Sequence, residues 1–351
     1  MAGNTFGEVF KITTFGESHG VSVGVIVDGV TPGVEINEAY IQKQMDRRKP
    51  GQSSVTTPRK EYDVVHIQSG VFEGKTTGTP LFVVLQNHDM RPEAYSEIQD
   101  AFRPGHADFT YLEKYGIRDH RGSGRASGRE TAARVAGGAI ARKLLERRGV
   151  QVVAYTQEIG GIKCESFDEG VIEQNAVRAC DPIAADKMIK KIEGLAEIGD
   201  SCGGIVECRI RGVVPGLGEP VFDKLDAELA KAMLSIGAVK GIEFGAGFEA
   251  ATMLGSEHND ARNSDGFLTN HSGGIIGGIS TGQEIVFRIS VKPTSSISMP
   301  QQTTNIKGEE QEIRTEGRHD PCICPRIVPV VEAMACLVLE DQYKRQAAML
   351  G

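Results

Sequence analysis

The chain has 351 residues, 40% of them hydrophobic and 25% charged, and 39 Lys and Arg against 47 Asp and Glu leave a formal net charge of -8. That balance excludes a disordered, fibrous or membrane-spanning chain and argues against a nucleic-acid binder, which is usually basic, while the length allows a substantial core. There are 43 glycines without a collagen-like period and seven cysteines without a C-x-x-C pair. The expectation is tight turns, free thiols and, with no secretory h-region or long apolar run, a cytoplasmic protein.

In chain order, the strand candidates are Val23–Val30, Val64–Val71, Leu81–Gln86, Ile205–Val214 and Glu284–Val291, each bounded by Gly or Pro. Helices are expected over Asn37–Arg48, from Ser127 to Gly149, from Asp181-Pro182, over Asp223–Ile236 and over Pro325–Asp341. Ser127-Gly128-Arg129-Glu130 reads as a capping box ahead of a small-residue apolar stripe, and Asp181-Pro182 as N-cap and first helical residue. The last helix is apolar nearly all round and should be buried.

Segments also recur in the same order. Gly29-Val30-Thr31-Pro32-Gly33 matches Gly212-Val213-Val214-Pro215-Gly216, Gly70–Gly78 matches Gly274–Gly282, and Gly124-Arg125 matches Gly317-Arg318. Two similar halves, roughly 1–150 and 200–345, within one domain spanning 1–351 are the expectation, with chance likeness of Gly-rich hairpins as the alternative.

Familiar phosphate motifs are weak. Gly70 to Thr76 is one residue short of a P-loop, and Gly245-Ala246-Gly247-Phe248-Glu249-Ala250 lacks a βαβ setting. The arginines say more. Arg47 and Arg48 close the first helix, Arg103 sits in Arg103-Pro104-Gly105-His106, and Arg118, Arg121, Arg125, Arg129 and Arg134 crowd the segment around the Ser127 cap. Arginines beside a helix start suit a phosphate or carboxylate, and here they lack evident acidic partners; a solvated basic face is the alternative. Lys292-Pro293-Thr294-Ser295-Ser296 offers a cation and hydroxyls after a strand. His19 and His106 lie in Gly-flanked turns where either a structural or an acid–base role is open. No spacing resembles a metal site.

Taken together the chain resembles chorismate synthase. The resemblance rests on Phe15-Gly16-Glu17-Ser18-His19-Gly20, Phe102–Asp108, Gly124–Thr131, Asn270-His271-Ser272-Gly273-Gly274, Lys292–Ser296 and Gly317-Arg318-His319-Asp320-Pro321-Cys322. It implies an α+β fold, a β-α-β sandwich of antiparallel sheets around central helices, assembled as a homotetramer. It implies a carbon–oxygen lyase of the shikimate pathway, on the route to the aromatic amino acids. That lyase removes phosphate and a C6 hydrogen from 5-enolpyruvylshikimate-3-phosphate to give chorismate, using reduced FMN without net redox change, with NADPH as a candidate reductant. On this resemblance His19 protonates the departing phosphate, His106 protonates or hydrogen-bonds the reduced flavin near N1, and Asp320 works with flavin N5 in removing the C6 proton. Ser18 and Ser127 support them. The flavin is held by Arg125, Ala126, Ser127, Gly237, Ala238, Gly277, Lys292, Pro293, Thr294, Ser295, Ser296 and Arg318. Arg48, Arg103, Arg129 and Arg134 clamp the substrate, with Ser54 where the family usually has an arginine of a substrate- or NADPH-associated pair. Ala126 and Gly128 also depart from the family's usual residues. The competing readings are an NAD(P)H-consuming flavin oxidoreductase and a non-enzymatic anion-binding protein.

Overall fold

A computed structural model describes residues 3–53, 55–57, 61–89, 98–315 and 319–350. Ser54, Gly317 and Arg318 lie outside the described residues, so the expectations that fall on them have no structural counterpart here.

The chain forms two five-stranded antiparallel sheets with helices between them. In the first half the principal strands are β1 (Lys11–Gly16), β2 (Ser22–Asp28), β3 (His66–Ser69) and β4 (Leu81–Gln86), in the order β1-β2-β4-β3 with Thr5–Phe6 outside β1. In the second half they are β5 (Gln151–Ile159), β6 (Gly204–Arg211), β7 (Val239–Phe244) and β8 (Ile285–Val291), in the order β5-β6-β8-β7 with Ile162–Lys163 outside β5. The two sheets therefore share one topology. Strands β1, β5 and β7 are not among those the sequence pattern singles out.

The hairpins that follow β3 and precede β8 repeat the likeness at the level of single bonds. Gly33 N donates to Thr76 O at 2.7 Å, and Gly216 N to Ser280 O at 2.9 Å. Thr76 Oγ1 donates to Thr31 O and accepts from Val34 N, while Ser280 Oγ donates to Val214 O and accepts from Leu217 N. A hydroxyl thus fastens each Val/Thr-Pro-Gly turn to its hairpin.

Alternation decides which side of each sheet is buried. Val23, Val25, Val27, Leu81, Val83 and Leu85 of the first sheet are buried, as are Val206, Cys208, Ile210, Ile285, Phe287 and Ile289 of the second. Removing each large aliphatic side chain from water contributes roughly 1.5–3 kcal/mol. Between the sheets lie α1 (Glu38–Arg48), α3 (Thr131–Glu146), α5 (Leu225–Leu234) and α6 (Cys324–Leu350), while α2 (Asp108–Tyr115) and α4 (Pro182–Glu197) lie outside the central pair. Helix α3 packs on the first sheet and on α6, and α6 packs on β5 and β6. No described helix is long and apolar enough to cross a membrane.

Small residues let the layers close. A Cβ at Gly137 would stand 3.2 Å from Ile12 Cγ2 on the sheet side, and one at Gly138 only 2.4 Å from Ala333 Cβ of α6. The α3 stripe of Ala and Gly is therefore the close-approach face of both contacts.

Helix ends follow the sequence in part. Asn37 Oδ1 caps α1 through Tyr40 N at 2.9 Å, and Asp181 Oδ1 caps α4 through Ile183 N and Ala184 N with Pro182 at the first turn. The capping box at Ser127 does not form. Ser127 instead caps a 3₁₀ turn, Gly128–Glu130, by accepting from Arg129 N, and α3 proper starts at Thr131. Glu130 is not free to return to Ser127, because its oxygens take Thr14 Oγ1 at 2.8 Å and Arg134 Nε at 2.7 Å. The last helix runs to Leu350, beyond the expected Asp341, and passes through Pro329. Proline has no N–H for the carbonyl four residues back; that carbonyl, of Pro325, accepts from Arg178 Nη1 at 2.6 Å. The buried Glu332 of α6 accepts from Arg142 Nη2 at 2.7 Å, from Ala154 N at 3.0 Å and from Arg47, so one charge links α1, α3, α6 and β5.

Two glycine replacements separate packing from propensity. Gly138→Ala should destabilise by roughly 1–3 kcal/mol, since overpacking against the α6 backbone exceeds the gain in helix propensity. Gly194→Ala in α4, where nothing lies within 4 Å of the added carbon, should stabilise by up to about 1 kcal/mol. Urea unfolding of both variants checks the opposite signs.

Candidate active site

The loops at one end of the sandwich open into a cleft of about 810 Å³, near the upper limit for small-molecule sites. Every described site residue implied by the resemblance borders it except Gly277, which lies at the tip of the hairpin Ile275–Ser280; of the arginines the sequence singles out, Arg47, Arg118 and Arg121 do not border it.

At the floor, the fully buried Asp63 accepts from Arg48 Nη1 at 2.9 Å through one oxygen and from Arg129 Nη1 through the other. Burial would raise this carboxyl's pKa, but the two guanidiniums hold it below the usual carboxylate range. Burial outweighs Asp63's support for Arg48, whose pKa falls to about 10 with Arg326 and Arg129 adding to the fall. Two cations on one carboxylate leave a buried excess of positive charge, which an incoming anion would relieve.

Arg129 also sets His19. Its Nε donates to Asn87 Oδ1 at 2.8 Å, while Asn87 Nδ2 holds the carbonyls of Glu17 and Gly20 at 3.0 and 2.7 Å. The turn carrying Ser18 and His19 between β1 and β2 is clamped this way, with His19 Nδ1 3.1 Å from Ser18 Oγ. Gly122, at φ 78°, lies against the His19 ring, where a Cβ would come within 2.6 Å of it.

His106 is held at both nitrogens. A carbonyl can only accept, so Nδ1–H donates to Pro104 O at 3.0 Å and Nε2 accepts from Ser296 Oγ at 2.7 Å. Burial first, then the Arg103 guanidinium, pushes its pKa down to about 4, so the ring is neutral. Gly105, at φ 70°, allows the loop 292–296 to approach, since a Cβ there would come within 2.6 Å of Ser295 Oγ. In that loop Lys292 Nζ donates to Ser295 Oγ, and burial with nearby Lys240 lowers the Lys292 pKa.

The arginines differ from the sequence expectation in one respect: they have carboxylate partners. Arg103 makes a two-pronged contact with Asp108 at 2.7 and 2.8 Å, and Arg134 pairs with Glu130 one helical turn earlier at 2.7 Å. Arg125 is tied to the end of β1 through Thr14 O at 3.1 Å, Thr14 Oγ1 at 2.7 Å and Gly16 O at 3.2 Å. Except for Arg134–Glu130, these partners are distant along the chain or on the far side of a turn, which hides them from a helical-spacing search.

Asp320 accepts from Thr57 N at 2.9 Å through Oδ1 and from Arg326 through Oδ2. Sequence reasoning missed Arg326, Asp63 and Glu130. Arg326 left one signal: a cation in the first turn of a helix opposes the helix dipole and asks for a reason. Ile236, Ile323, Ile327 and Val330 give the cleft an apolar wall facing these charges.

Residues 10–343 match the family model described as chorismate synthase. The chain is 56% identical to the chorismate synthase of Methanosarcina mazei, covering 98% of this chain and 97% of that one. It is 54% identical to that of Desulfatibacillum aliphaticivorans, covering 99% and 97%. A crystal structure of a chorismate synthase superposes with a TM-score of 0.78 at 29% identity, covering 97% of this chain and 93% of the other.

Two outcomes follow from the electrostatics. Asp63 has φ 50°, a conformation asparagine tolerates, so Asp63→Asn removes charge without new backbone strain. It removes the carboxylate that two buried guanidiniums share among the described residues and should destabilise by about 3–5 kcal/mol, read by denaturant unfolding. His106 has a folded pKa below its unfolded value near 6.5, so the unfolded chain binds the extra proton between them. Its contribution to stability is present above pH ~6.5 and lost as pH falls toward ~4. Nitrogen NMR should show the Nδ1–H tautomer across pH 5–8, and His106→Gln should flatten the acid side of the stability profile.

Proposed function

This chain belongs to the chorismate synthase family and is a lyase that makes chorismate by eliminating phosphate; from that premise we propose how its cleft does so. One observation carries the reading: two histidines and Asp320 border the same cleft as the buried Arg48–Asp63–Arg129 cluster, whose excess positive charge suits a phosphorylated dicarboxylate.

The substrate is 5-enolpyruvylshikimate-3-phosphate. Arg48, Arg103, Arg129 and Arg134 hold its phosphate and carboxylates, with their own carboxylate partners fixing each guanidinium before the ligand arrives. His19, steadied by Ser18, gives a proton to the departing phosphate, which leaves poorly as a fully charged anion. Asp320 accepts the C6 proton. In this 1,4-elimination the C6–H bond breaks, its electron pair moves into the diene, and the C3–O bond breaks with its pair leaving on phosphate.

The residues fit reduced FMN. The Arg125–Ser127 turn and the Lys292–Ser296 loop offer cations, hydroxyls and backbone N–H groups for its phosphate and polar edge, and the Ile236, Ile323, Ile327 and Val330 wall suits a flat ring. Gly237 and Ala238 would complete the cradle, with Ala238 O accepting from Lys292 N at 2.9 Å. When bound, reduced FMN supplies an electron-rich ring beside the reacting carbons and ends the cycle in the redox state in which it began. His106 would meet such a ligand as a neutral ring whose Nε2 already accepts from Ser296 Oγ. An anion close enough to offset burial and Arg103 would convert it to a donor. Gly277 and Arg318 as flavin contacts, NADPH as reductant and a homotetramer come from the family resemblance alone and belong to the same proposal, as does the cytoplasmic location expected from the sequence pattern.

An anaerobic assay with purified protein, 5-enolpyruvylshikimate-3-phosphate and photoreduced FMN should release chorismate, read by its absorbance, without consuming a reductant in step with product. Stoichiometric NAD(P)H consumption would favour the flavin-oxidoreductase reading. His19→Ala should keep the melting temperature and lower kcat by roughly 10²–10⁴-fold; a near-normal kcat would make that histidine structural.

A further inference from the structure

Arg326 stands in the first turn of α6, where the helix dipole disfavours a cation. Its guanidinium donates from Nη1 to Asp320 Oδ2 and from Nε to the Arg48 carbonyl at 3.4 Å, while Thr57 N holds Asp320 Oδ1 at 2.9 Å. Asp320 is therefore gripped through both oxygens, from α6 on one side and from residues 55–57 on the other. Both side chains border the main cleft, and Arg326 also borders a second cavity of about 450 Å³ beside Arg47 and Arg178. Without Asp320, the long bond from Nε to the Arg48 carbonyl would be the guanidinium's one remaining tie among the described bonds.

We propose that Arg326 is a positioning residue for the elimination: by engaging one oxygen of Asp320 while Thr57 engages the other, it stops the carboxylate rotating and keeps it presented to the substrate's C6–H. The proposal rests on the reading of Asp320 as the proton acceptor. During the step the C6–H bond breaks, the proton goes to an Asp320 oxygen, and the electron pair enters the new double bond as phosphate departs with the C3–O pair. A carboxylate free to turn would meet that proton in the right orientation only part of the time. The loss would fall on the rate and not on substrate binding.

The test uses the full chain with reduced FMN under anaerobic conditions and four variants: Arg326→Gln, Arg326→Lys, Asp320→Asn, and Arg326→Gln combined with Asp320→Asn. Arg326→Gln should lower kcat by one to two orders of magnitude, within the cost on the order of 10²-fold for a misplaced group, with substrate KM little changed. With substrate deuterated at C6, its isotope effect on kcat should exceed that of the parent protein. Arg326→Lys, which keeps the charge with a single-point donor, should recover part of the rate. In the Asp320→Asn background Arg326→Gln should cost nothing further.

A raised KM with unchanged kcat would make Arg326 a substrate anchor and overturn the proposal, as would an equal loss in both backgrounds. Slow turnover by Asp320→Asn alongside normal turnover by Arg326→Gln would sink the proposal while leaving the role of Asp320 intact. Near-normal turnover by Asp320→Asn would overturn both. Should Arg326→Gln fail to give a cooperative melt, the kcat-against-KM split and the isotope effect of Arg326→Lys decide the matter by the same criteria.

Discussion

Asp63, buried behind the Arg48 and Arg129 side chains that line the cleft, accepts a guanidinium on each oxygen, and the geometry above it follows from that pairing. Arg48 ends α1 and Arg129 lies in the 3₁₀ turn that leads into α3, so the carboxylate fixes two helix termini to the segment ahead of β3. Through Asn87 the constraint passes to the turn that carries His19. Burying ions costs several kcal/mol each unless they are paired, and here the pairing is incomplete by one unit of charge. The imbalance is a poor way to stabilise a fold and a good way to attract an anion.

The same economy of partners recurs around the rim. Arg103 with Asp108, Arg134 with Glu130 and Arg326 with Asp320 are each held by a carboxylate before any ligand is present. A guanidinium carries five N–H donors, so one or two bonds to a carboxylate leave others for a substrate. Preorganisation of this kind removes the entropy of ordering long side chains from the binding step. His106 illustrates the opposite limit, because burial and Arg103 keep it neutral.

The sandwich matters to this chemistry through its rigidity. Gly137 and Gly138 bring α3 against the first sheet and α6 at once, and the starts of α3 and α6 then lie beside one cleft. Each half contributes: Ser18, His19, Arg103, His106 and Arg125 come from the first, Lys292–Ser296 and Asp320 from the second. Two sheets of like topology, each with its own Pro-Gly turn pinned by a hydroxyl, hold these loops from opposite sides.

Much of this was legible in the residues alone. Apolar runs bounded by Gly or Pro mark β2, β3, β4, β6 and β8, and Asp181-Pro182 marks the start of α4, because those signals depend on neighbours a few positions away. Motifs around His19, His106, Lys292–Ser296 and Asp320 mark the family, since each is a run of adjacent residues that can be read without knowing what surrounds it. Partners were not legible. Asp63 lies 15 residues from Arg48 and 66 from Arg129, and neither separation follows any helical or strand period. Glu130 forms an apparent capping box in sequence, yet Thr14 from a distant strand and Arg134 take its oxygens. Arg326 looks like a misplaced helix residue until Asp320 folds against it. Local sequence determines elements and reactive groups because its forces act over a few residues. Counter-ions, tautomers and the charge left unbalanced in a buried cleft arise only when segments far apart in the chain exclude water together, and so only the tertiary structure decides them.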